Sequence, residues 1–283
     1  LLLPINVGFK NIAKTTWSKT MKVDPIFKIM CCTLSLGFFG GAKILRAQPF
    51  AGGSLSTHAR QSFPLKHKNT VLPISHEMKK CYERWAKNRT LSPEKKAFSF
   101  KIFLYTMEEN KKILRARSLV MTLSQKSSSS LTERETQFLT RLFEHYRVRS
   151  IPALLERMDV IPSSLALAQA IIESAWGNSR LAKNKNAYFG MIRKTSCAEY
   201  FKYSDIRQSV IAYMDNLNKH KAYDRLRKLR KQERCKGKGI EGISLAQGLG
   251  SYCTGGQYPK QIRNVIQKLC LGNLDTALSP VSF

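Results

Sequence analysis

Residues 162–190 read PSSLALAQAIIESAWGNSRLAKNKNAYFG. The nearly unbroken apolar and small residues from Leu165 to Ile172 predict a helix buried on most of its circumference. It carries one carboxylate, Glu173, close to its C-terminal end, and Gly177 is expected to stop it. The chain then turns into Tyr188-Phe189-Gly190. Glu173 is the only acidic residue between Asp159 and Glu199, in a chain with 19 acidic and 48 basic residues. Gln169 lies four positions earlier and shares its helix face.

Burial of a carboxyl group disfavours its charged form, and the C-terminal end of a helix dipole acts in the same direction. The net charge of +29 acts oppositely, but at a distance and screened by salt. A carboxyl group that holds its proton near neutral pH is what a general acid for glycosidic-bond cleavage requires. The plainer reading is a glutamate paired with an arginine, Arg180 being the nearest in sequence. Trp176, Tyr188, Phe189, Tyr252 and Tyr258 are flat rings on which sugars could stack, and a groove lined by them suits a polysaccharide. Singly, each is an ordinary core residue; their clustering around an isolated glutamate favours a site.

The whole chain has 283 residues, room for one domain with extensions. Its positive charge favours polyanions, with nucleic acid, anionic lipid and anionic envelope polymers as candidates. Seven cysteines, Cys31, Cys32, Cys81, Cys197, Cys235, Cys253 and Cys270, form no CxxC pair and no zinc-like spacing with the histidines. No metal and no cofactor is expected.

The segment 1–47 reads as a leader whose effective start is Met21. Lys22 and Lys28 form a basic region, 29–42 an apolar core, and Gly40-Gly41-Ala42 or Ala47 an exit. A retained membrane anchor and a buried element are the alternatives. Residues 48–91 are expected to be a flexible linker, and the folded domain to span 92–272. Within it, Ser92-Pro93 opens a long amphipathic helix over 93–125. Thr132 and Glu135 form a capping box for the next, and both helices read as structural. A short third helix covers about 152–158. Residues 197–204 suggest a short strand or hairpin. Ser204 or Asp205 caps a helix bearing Ile206, Val210, Met214 and Leu217, and a very basic helix follows. Two more are expected at about 243–252 and 259–271, then a loose tail over 273–283. The fold class is α+β, mainly α.

LALAQAIIESAWGNSRLA at 165–182 with AYFG at 187–190 resembles the signature of the bacterial glucosaminidases of glycoside hydrolase family 73, in its Bax-like branch. NLNKHKAYDRLRKLR at 216–230, the Tyr252 and Tyr258 region, and KKAFSFKIFLYTMEENKKI at 95–113 extend the resemblance to roughly 92–271. It implies a lysozyme-like domain with a small β-hairpin lobe. The implied activity is hydrolysis of peptidoglycan at the β-1,4 bond between N-acetylglucosamine and N-acetylmuramic acid.

The family's motif glutamate falls on Glu173 as general acid, its aromatic before the motif glycine on Phe189, and its late groove tyrosine on Tyr258. Gln169, Trp176, Tyr188 and Tyr252 join these as candidate substrate contacts. Two departures stand out: Ala187 replaces an asparagine common in the family, and the hairpin is short with Glu199 as its only acid. Glu199 could be the base that activates water, or the substrate's 2-acetamido group could do that work. Paired carboxyls lie about 5–5.5 Å apart in retaining enzymes and about 6.5–9.5 Å apart in inverting ones, and sequence sets neither.

The expected protein is a periplasmic or secreted wall hydrolase, or one tethered to the inner membrane by its leader. Its partners would be peptidoglycan strands and anionic envelope polymers, with no nucleic acid. The alternatives are a lytic transglycosylase of the same fold and a non-enzymatic basic wall-binding or nucleic-acid-binding protein.

Overall fold

A computed structural model of the chain describes residues 75–193, 199–237, 239–250, 252 and 256–278, all within the unit Arg60–Phe283. The leader and residues 48–74 of the linker lie outside the described residues, as do Cys197 and Cys253.

The element order is α1 (His76–Lys87), α2 (Pro93–Leu123), α3 (Glu133–Tyr146), α4 (Ile151–Arg157), α5 (Ser163–Ser174), α6 (Arg180–Lys185), β1 (Ile192–Arg193), β2 (Glu199–Tyr200), α7 (Ile206–Lys219), α8 (Asp224–Cys235), α9 (Gly242–Leu245) and α10 (Tyr258–Lys268). Short 3-10 turns follow α7 and α9, and a longer one, Leu271–Leu278, follows α10. The two strands pair antiparallel, Ile192 opposite Tyr200 and Arg193 opposite Glu199. The mainly helical α+β architecture expected from sequence is observed.

α5 is the axis of the domain. Leu165, Ala166, Leu167, Ala168 and Ala170 have no exposed surface, because α2, α9, α10 and the Leu271–Leu278 turn all pack on it. A helix enclosed on every side can be apolar all round, which is the pattern read from its sequence. Its entry is held by α2, where Asn110 donates to the Ile161 carbonyl at 2.8 Å and accepts from the Ile161 N–H at 2.9 Å. Its exit differs from expectation. The helix ends at Ser174, and Ala175, Trp176 and Gly177 all take positive φ, 49°, 60° and 81°. Ser174 Oγ accepts from the Gly177 N–H at 2.8 Å and donates to the Ala170 carbonyl, bracing this reversal. Left-handed conformations at non-glycine residues cost on the order of 1 kcal/mol each. The sharp turn directly after Glu173 is therefore maintained by its surroundings.

The start of the domain needs correction. Residues 76–87, assigned to the linker, form α1, with Met78, Tyr82, Trp85 and Ala86 buried. Trp85 Nε1 donates to the Leu269 carbonyl at 2.9 Å, and the Tyr82 hydroxyl to the Lys96 carbonyl at 2.6 Å. Met78, Tyr82 and Trp85 already stand at helical spacing, hidden among charges.

The tail is also ordered as far as Leu278. Leu271 and Leu274 are fully buried, and the buried Asp275 carboxylate accepts from the Ser164 N–H at 2.8 Å, the Ser164 hydroxyl and the Gly242 N–H at 3.0 Å. Asp275 thus ties the start of α5 to the start of α9. The basic helix α8 is partly an interior element. Arg230 has no exposed surface and donates to the carbonyls of Glu156, Arg157, Asp159 and Val160, while Arg234 pairs with Asp159. The capping box at Thr132 and Glu135 is present as expected. Among the described residues, no helix is long and apolar enough to cross a membrane.

Candidate active site

Glu173 occupies the last turn of α5, partly open to solvent. Its Oε1 accepts from the Tyr258 hydroxyl at 2.7 Å. Tyr258 is the first residue of α10, and its oxygen in turn accepts from Gln169 Nε2 at 3.1 Å. Gln169 Oε1 accepts from the Tyr213 hydroxyl of α7 at 2.7 Å. Because the Gln169 amide fills a lone pair on the Tyr258 oxygen, the Tyr258 proton is directed at Glu173.

A second set of contacts closes this chain into a ring. Tyr213 stacks on Phe189 with centroids 4.0 Å apart and planes 10° from parallel. The Phe189 carbonyl accepts from the Tyr252 hydroxyl, and Tyr252 stacks on Tyr258 at 5.0 Å and 3°. Gly190 follows Phe189 with φ of +60°, and a Cβ on it would stand 2.6 Å from Glu173 Oε2. The absence of a side chain at 190 is what makes room for the carboxylate.

Burial pushes the Glu173 carboxyl above its ordinary range, and the Tyr258 hydrogen bond only partly opposes this. The hydroxyls of Tyr258, Tyr252 and Tyr213 are held well above the usual phenol value, first by burial and in addition by the Glu173 charge. They remain neutral donors while Glu173 is the group able to gain or lose a proton. Among the described residues, no group of His, Cys, Asp and Glu side chains is arranged to hold a metal ion.

The expected site residues separate into three groups. Glu173, Gln169, Phe189, Tyr252 and Tyr258 come together, but Gln169 and Phe189 are 0% and 1% exposed. Those two support the ring from within and present no surface to a sugar, so their assignment as substrate contacts is corrected. Trp176 and Tyr188 remain half-buried on the flank, leaning on Phe98 with centroids 6.4 and 6.0 Å from it. Glu199 stands apart. Its side chain is 61% exposed, Lys185 Nζ lies 3.7 Å from it, and among the described residues it shares no hydrogen bond with the ring.

Sequence reading missed Tyr213, which sits among Val210, Met214 and Leu217 on α7 and looks like core. It also took α2 as structural only, whereas Phe98 forms part of the site's wall. Lys95, three residues earlier on the same helix face, places its Nζ 5.2 Å from the Trp176 ring centroid. Both have an ordinary helical spacing, so no local signal marked them.

A carboxylic acid whose proton affinity is raised by burial, held by a tyrosine beside half-buried aromatic rings, is suited to acid catalysis on a glycan. Residues 149–271 match the family described as "Glucosaminidase: Mannosyl-glycoprotein endo-beta-N-acetylglucosaminidase". It is 34% identical over 182 residues to "Protein bax" of Escherichia coli strain K12, a match that covers 59% of this chain and 66% of that protein. Just under two thirds of the relative's length is therefore represented. Among solved structures, the catalytic domain of the autolysin Auto from Listeria monocytogenes is similar over 72% of this chain and 99% of that domain, with a TM-score of 0.38 and 15% identity.

Proposed function

We propose that this protein is a peptidoglycan hydrolase, an endo-β-N-acetylglucosaminidase that cleaves the β-1,4 bond between N-acetylglucosamine and N-acetylmuramic acid. The observation that carries the reading is the Glu173 carboxyl: raised in proton affinity by burial, hydrogen-bonded by Tyr258, and free of any cationic partner within ion-pair distance among the described residues. Glu173 gives its proton to the bridging oxygen as the bond to the anomeric carbon breaks. The carbonyl oxygen of the substrate's own 2-acetamido group then closes on that carbon. Water opens the resulting ring, and a proton returns to Glu173. The position of Glu199 beside Lys185 supports assigning the nucleophilic role to the substrate.

A lytic transglycosylase is the second reading, favoured by the same isolation of Glu173, since one acid can serve both halves of that reaction. Digestion of purified peptidoglycan followed by mass spectrometry separates the two. Reducing N-acetylglucosamine ends support the hydrolase, and anhydro-muramic ends the transglycosylase. A non-enzymatic basic binder predicts no wall solubilisation by the wild type and retention on wall or DNA that falls steeply with salt. Release of wall by Glu173→Gln at the parent rate removes Glu173 from the mechanism. The leader-like segment from Met21 supports action in the periplasm or outside the cell, tested by locating the protein in cell fractions.

A further inference from the structure

Beside the catalytic ring lies a patch that the family match at 149–271 includes only in part, because Lys95 and Phe98 come from α2. Trp176 and Tyr188 present half-buried rings, with Phe98 behind both. Both rings are tied to the reacting group. Trp176 lies three residues after Glu173, and Tyr188 two residues before Gly190, which abuts the Glu173 carboxylate. Lys95 reaches over Trp176 from the first turn of α2. Its ammonium has no carboxylate within 4.0 Å among the described residues, although Glu94 is its neighbour in sequence. An ammonium resting on a half-buried indole is weakly held, and a carboxylate offers it a stronger, charge-assisted contact.

We propose that Lys95 and Trp176 form a subsite for a sugar whose substituent carries a carboxylate, with the sugar on the indole and the anion on the ammonium. This rests on the glycan-hydrolase reading and deepens it. A neutral aromatic groove would accept any N-acetylated glycan, whereas one cation at its edge favours the acidic strand of the bacterial wall over an uncharged one. The anion is either the lactyl carboxylate of the sugar or a carboxylate of the attached peptide. Lys95 has three donors on a flexible stem and can meet either.

The test is calorimetric binding in a Glu173→Gln background, where turnover is suppressed. Three ligands are titrated: a neutral N-acetylglucosamine oligomer, a peptide-free glycan fragment bearing lactyl carboxylates, and the same fragment with its peptide. Lys95→Met retains the stem length and removes the charge. It is expected to weaken the charged ligands about tenfold and the neutral oligomer less than threefold, with Lys95→Arg restoring most of the loss. Weakening confined to the peptide-bearing fragment assigns the peptide carboxylate. Weakening confined to the peptide-free fragment assigns the lactyl carboxylate, which is an amide once the peptide is attached. Weakening of both shows that Lys95 meets either anion. Equal weakening of all three ligands, or none, overturns the subsite while leaving the hydrolase reading intact. No binding of any glycan by the Lys95 protein overturns both. Thermal unfolding of each variant guards against misfolding as the cause.

Discussion

Gly190 and Glu173 share one space: a Cβ on the glycine would stand 2.6 Å from the glutamate's Oε2. The left-handed φ of +60° at Gly190 and the carboxylate against it make this position doubly intolerant of a side chain. Gly190→Ala is expected to lower kcat on peptidoglycan at least a hundredfold while costing the fold only about 1–2 kcal/mol, by displacing the carboxyl from Tyr258. Wall-turbidity clearance and urea unfolding measure the two effects. A variant as active as the parent removes Gly190 from the site's geometry.

Tyr258 acts on Glu173 in two ways that pH can separate. Its hydrogen bond orients the carboxyl and also favours the ionised form. Tyr258→Phe should therefore reduce kcat about ten- to a hundredfold and move the alkaline limb of the pH–rate profile upward, because loss of the donor raises the Glu173 pKa further. A downward shift contradicts this arrangement.

Glu173 should also leave a mark on stability. Its folded-state pKa lies above the unfolded value, so the native state holds the proton more tightly, and stability falls as pH rises from the unfolded pKa through the folded one. Glu173→Gln is accordingly expected to stabilise the protein more at pH 7 than at pH 4, while lowering activity by about 10²–10⁴. Thermal unfolding at the two pH values, alongside wall digestion, checks both.

Glu199 is exposed and paired with Lys185. With the acetamido group of the substrate as nucleophile, Glu199→Gln should keep kcat within about threefold of the parent, since an exposed ion pair contributes about 1 kcal/mol or less. A loss of about a hundredfold or more on purified peptidoglycan would make Glu199 the base and overturn the substrate-assisted route.

Asp275 links the C-terminal turn to the start of α5. Burial raises its pKa from 3.8 to about 6, against the pull of its three donors. Between those values the unfolded chain loses a proton that the native state retains, so stability declines with rising pH by about 3 kcal/mol. Asp275→Asn should remove that component of the slope in urea unfolding between pH 4 and 6. Asp275→Ala, which strands the Ser164 and Gly242 N–H groups, should cost about 2–3 kcal/mol at pH 7. An unchanged slope in the asparagine variant would exclude Asp275 as its source.

What could be read from residue order was local and periodic. The apolar run from Leu165 to Ile172 announced an enclosed helix, its single acid announced a site, and Ser92-Pro93 and Thr132 with Glu135 marked helix starts that the structure retains. α1 and the final turn escaped because their few apolar residues, Met78, Tyr82, Trp85 and Leu274, lie among polar ones and matter only through contacts far along the chain. Tyr213, Gln169, Tyr258 and Glu173 form one hydrogen-bonded chain although the first and second are 44 residues apart and the third and fourth 85. No spacing rule links residues at such separations, because only the packing of α5, α7 and α10 brings them together. The same packing decides which aromatics still face solvent: it buries Phe189 and leaves Trp176 and Tyr188 partly open. Sequence can name an acid, but its neighbours, its exposure and hence its proton affinity belong to the folded chain.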